Sequence, residues 1–306
     1  MKTIFASSFF LLLVLNLQAS DTLGFSKKEI IYGRKDGMAL MMAIQSPQHA
    51  NGKAIISVVS GNWRSGYEML PRFEDKDKIY LNSGYTVFQI LTSSQPRYPI
   101  PDQVEDVKRA VRFVRYNAKE YGIDPDKIGI TGASSGGHLA LMVATTGDDK
   151  ALPNAKDPVD RVSARVQAAA VFYPPTDFLN YGQEGFNASA SQMILAATGL
   201  TAAFDFKRWN DTTRTYVSIT DMDTKLAIAK ENSPIYSVTP DDPPVLIIHG
   251  DADRLVPKQQ SETIIQKLKE AGVPNELIIK KGGSHGWRDS GVEEANFVNW
   301  FDKYLN

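Results

Sequence analysis

The sequence predicts an α/β fold in which helices cover both faces of a mostly parallel sheet that begins with antiparallel strands. Short apolar runs typical of buried strands alternate with helical segments over most of the chain. Two β-rich segments near the start are separated by Lys35-Asp36-Gly37, which is a hairpin turn signal. A chain of 306 residues, 42% of them hydrophobic, is long enough to bury a large core.

Residues 1–20 are expected to form a secretory signal peptide and are excluded from the fold. Lys2 precedes an apolar run centred on residues 9–15, and Ala19 or Ser20 provides a small residue for cleavage. The run is short for a transmembrane helix, and an uncleaved anchor is the alternative. We therefore predict one domain over 21–306, no membrane span after cleavage, and a secreted or periplasmic location.

Composition narrows the possible partners. The net charge of −1 leaves no basic surplus to attract nucleic acid or an anionic membrane. The absence of cysteine excludes disulfides and thiolate metal sites. A small or neutral molecule is the expected partner, and the oligomeric state is left open.

The predicted elements follow the chain in order. The early hairpin occupies residues 28–46 and is followed by strands and helices with short connections. The segment 103–121 is helical because its valines recur at spacings of three and four, with Asp102 as the N-cap and Gly122 as the end. Strands are expected at 53–60, 85–92, 127–131, 166–173, 243–250 and 275–281, and the remaining helices at 136–146, 258–271 and 292–304.

Residues 174–232 interrupt the alternation of strands and helices. They contain aromatics, alanine runs and polar stretches but no clear strand. We interpret them as an insertion, which is either a lid over the functional site or a surface excursion.

Between the strand at 127–131 and the helix that follows, Gly132-Ala133-Ser134-Ser135-Gly136 matches the pattern G-x-S-x-G. A tight strand-to-helix turn needs glycines on both sides because neighbouring chain comes very close. Such a turn pushes the central serine hydroxyl out above the carboxyl edge of the sheet. Ser134 is therefore the candidate nucleophile, and the backbone N–H of Ser135 is a candidate oxyanion donor.

A serine nucleophile requires a base, and the chain has four histidines. His49 lies in a turn before the main sheet and is expected to be solvated. His138 lies in the elbow helix, where packing is the better interpretation, and His249 ends a buried strand, where structural hydrogen bonding is expected. His285 lies in a glycine-flanked loop after the last strand, so it is the candidate base.

The acid that orients the base is expected in "HGDADRLVP", the loop after the strand at 243–250. Asp253 lies further into this loop and is our choice, with Asp251 as the alternative that only caps the loop. The order serine, acid, histidine is the one expected when the nucleophile lies on such an elbow.

The second oxyanion donor is expected in the loop after the strand at 53–60. Gly61 and Asn62 can present backbone N–H groups there, although Gly61 is also suited to an ordinary turn. Trp63 either stacks on a substrate ring or packs in the core.

These motifs together resemble the α/β-hydrolase superfamily, in particular the BD-FAE-like carbohydrate-esterase branch related to bacterial feruloyl and acetyl-xylan esterases. The segment "PIPDQVEDVKRAVRFVRYNAKEYGIDPDKIGITGASSGGHLA" and the loops "HGDADRLVP" and "GGSHGW" carry the resemblance, which covers roughly residues 27–305. The family usually shows His-Gly-Gly-Gly-Trp at the oxyanion loop, whereas this chain has Val59-Ser60-Gly61-Asn62-Trp63.

The resemblance implies an α/β-hydrolase fold and a serine hydrolase of carboxylic esters that acts on acyl esters of carbohydrate, of the acetyl or feruloyl type, with a small-molecule or oligosaccharide ester as substrate. The expected signal peptide makes this an exported enzyme. Ser134, His285 and Asp253 would form the triad, and no metal or organic cofactor would be needed. Two alternatives stay open: a serine peptidase of the prolyl-oligopeptidase type, and a catalytically inactive binding protein on the same fold.

Overall fold

The computed structural model describes residues 25–147, 153–287 and 290–306. The expected signal peptide over 1–20 lies outside these ranges, so the leader and the single domain over 21–306 stay predictions. Within the described ranges, no helix combines the length and the apolar character needed to cross a bilayer.

Strands and helices alternate along most of the described chain. In chain order they are β1 (Phe25–Lys35), β2 (Met38–Pro47), β3 (Ala54–Val59), α1 (Leu70–Asn82), β4 (Thr86–Leu91), α2 (Ile100–Tyr116), β5 (Ile128–Ala133), α3 (Ser135–Thr146), β6 (Ala168–Phe172), α4 (Gln192–Thr198), β7 (Lys207–Asn210), β8 (Thr215–Ser218), α5 (Met222–Glu231), β9 (Val245–Gly250), α6 (Gln259–Glu270), β10 (Asn275–Lys280) and α7 (Gly291–Tyr304).

The main sheet has eight strands in the order β1-β2-β4-β3-β5-β6-β9-β10. β2 pairs with β1 and β4 in the antiparallel sense, and every other neighbouring pair is parallel. The predicted sheet, mostly parallel with antiparallel N-terminal strands, is therefore confirmed. Asp36 and Gly37 form the turn between β1 and β2 with φ of 46° and 83°, as a two-residue hairpin turn requires.

The central strands are continuous apolar runs because helices cover both faces of the sheet. β3, β4 and β9 are buried along their whole length. In β3, Ile56 and Val58 pack in the cluster that includes the apolar faces of α2 and α3, while Ile55 packs on the other face with α7 residues. This arrangement leaves the carboxyl edge of the parallel strands open for a functional site.

The helix α2 differs from its prediction at both ends. It begins at Ile100, so Asp102 is not the N-cap but lies in the first turn, where it pairs with Lys35 at 3.1 Å. It ends at Tyr116 rather than at residue 121. There the side-chain amide of Asn117 donates to a carbonyl of the last turn, which competes with continuation of the helix.

Five of the described elements were not predicted from the sequence: α1, and α4, β7, β8 and α5 within 174–232. Helix α1 is rich in charge, and it buries Asp77 between its apolar positions, so its periodicity is obscured. β7 and β8 form an antiparallel hairpin within 174–232, where no strand was expected. None of the residues in these two strands is fully buried, so the apolar runs that revealed the main strands are missing.

Candidate active site

Ser134 lies at the sharp turn between β5 and α3, with φ of 55° and ψ of −122°. This strained backbone is held because the Ser134 N–H donates to Phe172 O at 3.0 Å. A Cβ at Gly132 would collide with the backbone of Gly136, and one at Gly136 would lie 2.7 Å from Val58 O. The glycines of the G-x-S-x-G pattern are therefore required by close backbone approach.

The structure brings the side chains of Ser134, His285 and Asp253 together. Ser134 Oγ lies 2.9 Å from His285 Nε2, and His285 Nδ1 lies 2.8 Å from Asp253 Oδ2. An ionised carboxylate only accepts, so Nδ1 of the neutral imidazole carries the hydrogen and Nε2 is free to accept from the serine hydroxyl. This is the geometry that a serine nucleophile and its general base require.

The side chain of Asp253 is fully buried, and it is held there as a carboxylate. Its Oδ1 accepts from the N–H groups of Leu255 and Val256, both at 2.9 Å. Its Oδ2 accepts from His285 and faces His249 Nε2 at 3.4 Å. Burial acts to raise the pKa of Asp253, but the hydrogen bonds from His249, His285 and Val256 outweigh it and hold that pKa well below its usual range.

Asp251, the alternative acid, does not reach His285. Its Oδ1 accepts from the Gly282 N–H at 2.6 Å, and the residue is exposed. Asp251 therefore ties the loop after β9 to the loop after β10, the structural role that the alternative interpretation gave it.

Of the three other histidines, His49 and His138 lie outside this chain of hydrogen bonds, whereas His249 faces its acid, Asp253. His49 is exposed in a bend. His138 is buried in α3, its Nδ1 accepts from Trp63 Nε1 at 3.1 Å, and burial lowers its pKa to about 4. His249 is buried at the end of β9, where Nε2 lies 2.9 Å from Val256 O and Nδ1 lies 2.6 Å from Ser261 Oγ. The carbonyl only accepts, so Nε2 carries the hydrogen that also faces Asp253.

The loop after β3 approaches Ser134 with an unusual backbone. Asn62 and Trp63 both have φ of 52°, a region that few residues with side chains adopt. The carbonyl of Asn62 accepts from Gln95 Nε2 at 2.6 Å, and the carbonyl of Trp63 accepts from Gln103 Nε2 at 3.0 Å. These two glutamines fix the loop in the strained conformation.

The three backbone N–H groups expected to bind the oxyanion differ in whether they already donate to an acceptor within the protein. The Gly61 N–H donates to Arg64 O at 2.9 Å, and Arg64 donates back to Gly61 O, so Gly61 forms an ordinary turn rather than a free donor. The N–H groups of Asn62 and Ser135 have no acceptor among the described residues. Asn62 lines the cavity that contains Ser134, and Ser135 follows Ser134 directly in the chain. Asn62 and Ser135 therefore remain the candidate donors, and Gly61 is corrected to a turn residue.

Trp63 does not lie on the surface of the site. Its side chain is buried in an edge-on aromatic cluster with His138, Phe178 and Phe204, at centroid distances of 5.4, 5.7 and 5.7 Å. The substrate-binding role considered for Trp63 does not fit this position, since no face of the indole is open for stacking. Trp63 instead anchors the loop that carries Asn62.

The insertion at 174–232 supports this loop from behind. Phe178 and Phe204 of the insertion pack on Trp63, and His138 Nε2 donates to Asn232 O at 2.8 Å. None of the residues that line the cavity around Ser134 comes from 174–232. The insertion therefore does not cover the cavity as a lid in this structure.

Tyr173 is a site residue that sequence reasoning did not single out. It follows β6 directly, has φ of 35°, and packs its ring on His285 at a centroid distance of 4.7 Å. Burial raises the pKa of Tyr173 to about 12, so its hydroxyl stays neutral. Its position at the carboxyl end of a buried parallel strand is the signal that could have identified it.

The candidate active site opens into a cavity of about 580 Å³. Its wall includes Ser134 and His285, residues 60–62 with Arg64, residues 68–69, and one face of α1 from Arg72 to Tyr80. Asp77 is part of that face, and its carboxylate accepts from Ser57 Oγ at 3.1 Å and Gln89 Nε2 at 2.7 Å. Burial outweighs these hydrogen bonds and raises the pKa of Asp77 to about 7.

Within the described ranges, no three or more histidine, aspartate or glutamate side chains are grouped as metal ligands. The absence of a cofactor stays a prediction. The chemistry available at the site comes from one activated hydroxyl, one imidazole with a buried carboxylate behind it, and two backbone N–H groups.

Comparison with known proteins links this geometry to a family. The BD-FAE family model matches residues 42–268. Esterase LipQ of Mycobacterium tuberculosis is 30% identical over 267 residues, which are 84% of this chain and 56% of LipQ. An acetylxylan esterase of Xylanibacter ruminicola is 30% identical over 146 residues, which are 47% of this chain and 28% of that protein.

Solved structures agree on the fold. A truncated carbohydrate esterase from gut microbiota superposes with a TM-score of 0.66 at 25% identity, covering 92% of this chain and 98% of that one. The fold is thus that of the α/β-hydrolase esterases, as the sequence predicted. The chain spans about half the length of the curated relatives it matches, with 56%, 38% and 52% of three mycobacterial esterases covered.

Proposed function

Because the chain belongs to the BD-FAE family, and because Ser134, His285 and Asp253 form one hydrogen-bonded chain, we propose that it is a serine hydrolase of carboxylic esters. The observation that carries the proposal is the 2.9 Å contact between Ser134 Oγ and His285 Nε2 at a strained elbow. The substrates are acyl esters on carbohydrate, of the acetyl or feruloyl type. The acetylxylan esterase and carbohydrate esterase among the similar proteins support this substrate class.

In the first half of the reaction, Ser134 Oγ attacks the ester carbonyl and His285 Nε2 takes the hydroxyl proton. Asp253 keeps the imidazole in the correct tautomer and stabilises the imidazolium that forms. The N–H groups of Asn62 and Ser135 donate to the negative oxygen of the tetrahedral intermediate. The N-terminal end of α3 adds a favourable dipole at the same place.

In the second half, His285 returns the proton to the leaving alcohol, which departs and leaves the acyl group on Ser134. Water then attacks the acyl-enzyme with His285 again as the base, and His285 gives that proton to Ser134 Oγ as the acyl C–O bond breaks and the carboxylic acid leaves. Removal of a triad side chain lowers kcat by a factor on the order of 10⁴–10⁶.

The test is hydrolysis of p-nitrophenyl esters of increasing acyl length, acetylated xylan and methyl ferulate, with peptide p-nitroanilides in parallel. We expect ester turnover that is lost in Ser134→Ala. Ser135→Ala is the matched control at the adjacent serine: it keeps the N–H group, so turnover should remain within about tenfold of wild type. Peptide turnover equal to ester turnover would favour the peptidase. Folded protein without any turnover would favour the inactive binding protein.

We also propose that the chain is exported to the periplasm or the medium. The support is the order of residues 1–20, with one lysine, an apolar run and small residues at 19–20. Mass spectrometry of the protein recovered from its source should find a mature N-terminus at residue 20 or 21. Intact Met1 on a cytoplasmic protein would contradict export.

A further inference from the structure

Arg72 and Lys76 form a pair of cations beside His285 that the triad does not use. They lie one turn apart on α1, so their side chains share a face. Both border the cavity around Ser134, and both border a neighbouring side pocket of about 310 Å³. The side pocket is otherwise lined by Phe172, Tyr173, His285, Gly286, Trp287 and Ser290.

Neither cation has an acidic partner among the described residues. No carboxylate of the described chain lies within 4.0 Å of either side chain, whereas Lys78 on the same helix pairs with Asp75 at 2.7 Å. Glu294 borders the larger cavity, but it accepts from Ser290 Oγ at 2.6 Å and makes no ion pair with Lys76.

Lys76 is partly buried in this position. Burial first, and then the charge of Arg72, lower the pKa of Lys76 below its usual range, against smaller opposing effects of Glu294 and Asp77. Two positive charges at this spacing repel each other, and the partial burial of Lys76 removes water that would screen its charge, whereas Arg72 is exposed. An anionic ligand would offset both the repulsion between the two cations and the desolvation of Lys76. The planar guanidinium of Arg72 suits a carboxylate in particular.

The position of the side pocket indicates which part of an ester would enter it. The pocket borders His285 but not Ser134 or the loop at 60–64. His285 gives its proton to the leaving oxygen in the proposed reaction, so the alcohol part of the ester lies next to it. The acyl part must lie towards Ser134 and the oxyanion donors.

We propose that Arg72 and Lys76 bind a carboxylate on the alcohol part of the substrate, so that the site prefers acylated sugars of the uronic acid class. The assignment to the alcohol side rests on the proposed function, whereas the binding of an anion at this pocket does not. The two cations are specificity-determining residues and take no part in proton transfer.

The test compares two ligands that differ at one carbon, an acetylated methyl glucuronide and the corresponding acetylated methyl glucoside. Calorimetric titration of Ser134→Ala measures their binding without turnover. We expect the glucuronide to bind about tenfold more tightly, since two charge-assisted contacts are gained. Adding Arg72→Gln and Lys76→Gln should bring the ratio of the two Kd values to about one. Circular dichroism verifies that each variant is folded.

Lys78→Gln, added to Ser134→Ala, is the matched control. It removes one positive charge from α1 outside both cavities, so the preference should stay near tenfold. Equal binding of the two ligands, tighter binding of the glucoside, no binding of the glucuronide, or a preference that survives loss of both cations would each overturn the proposal.

Turnover by the wild-type chain separates the two proposals. If Ser134→Ala prefers the glucuronide but the wild type hydrolyses neither ester, the anion pocket stands and the esterase function fails. If the wild type hydrolyses both esters with equal kcat/KM and no binding preference is found, the esterase stands and the anion pocket fails.

Discussion

The two walls of the cleft around Ser134 act through different parts of the chain. On one wall, His285 and Asp253 contribute side chains whose every polar atom has a partner. On the other wall, Asn62 contributes a backbone N–H, and its conformation depends on Trp63 and on side chains from other elements. Activity should therefore depend on the side-chain chemistry of His285 and Asp253 on the first wall. On the second wall it should depend on the residues that fix the backbone conformation of Asn62.

The largest effect is expected on the side-chain wall. Asp253→Asn replaces a carboxylate that accepts from His285 with an amide that favours the wrong tautomer, so kcat should fall by a factor on the order of 10⁴. Asp251→Asn is the control, because that residue only accepts from the Gly282 N–H. Its kcat should stay within about threefold of wild type. Steady-state kinetics on a p-nitrophenyl ester measure both, and equal losses would contradict the assignment of the acid.

The backbone wall should respond to conformation rather than to side-chain chemistry. Asn62→Gly keeps the N–H and tolerates φ of 52°, so kcat should stay within a fewfold of wild type. Asn62→Val is strained at that φ and should displace the N–H, lowering kcat by about 10²–10³. The same kinetics provide the comparison. Loss of activity in both variants would show that the Asn62 side chain, and not its backbone, takes part.

A smaller effect is expected behind the backbone wall. Trp63→Phe leaves His138 Nδ1 buried without a donor, which should lower the free energy of unfolding by about 1–3 kcal/mol. Trp209→Phe, on a tryptophan that is 50% exposed in the β7–β8 hairpin, should change it by less than about 0.5 kcal/mol. Urea denaturation measures both. A raised KM with unchanged stability in Trp63→Phe would instead support substrate stacking.

The smallest effect on turnover is expected at Asp77, a further lining residue of the cavity, whose titration acts on stability instead. Burial raises the pKa of Asp77 from 3.8 to about 7, so the folded chain holds this proton over a pH range in which the unfolded chain has released it. Stability relative to Asp77→Asn should therefore fall as pH rises from about 4 to 7 and change little above that range. The slope is at most about 1.4 kcal/mol per pH unit. Thermal melts of both proteins across this range test it, and parallel curves would be the contrary result.

The parts of the molecule that could be predicted from the sequence are those whose structure is determined by residues close together in the chain. Buried parallel strands are continuous apolar runs, so β3, β4 and β9 were found from their residues alone. The glycines around Ser134 are dictated by backbone approach within one short turn, which a pentapeptide can display. The same holds for the loops that carry Asp253 and His285, because each directly follows a strand of the main sheet.

The remaining features depend on contacts between distant segments. Whether the Gly61 N–H is free depends on its pairing with Arg64, and burial of Trp63 depends on aromatics more than a hundred residues further along. Helix α1 was missed because it places the charged Asp77 on its buried face, where Ser57 and Gln89 supply hydrogen bonds. The spacing of apolar residues within α1 contains no information about hydrogen-bond partners that lie in other strands.

Covalent labelling tests the central claim, an activated serine at the elbow, most directly. The wild-type chain, Ser134→Ala and His285→Ala are each incubated with a p-nitrophenyl phosphonate, which leaves a stable adduct on a nucleophilic serine. Intact-protein mass spectrometry and peptide mapping then locate the adduct. We predict one adduct on Ser134 of the wild type, none at that site in Ser134→Ala, and a much slower reaction in His285→Ala. An adduct on another residue that persists in Ser134→Ala, or folded wild-type protein that takes up no label, would contradict the account.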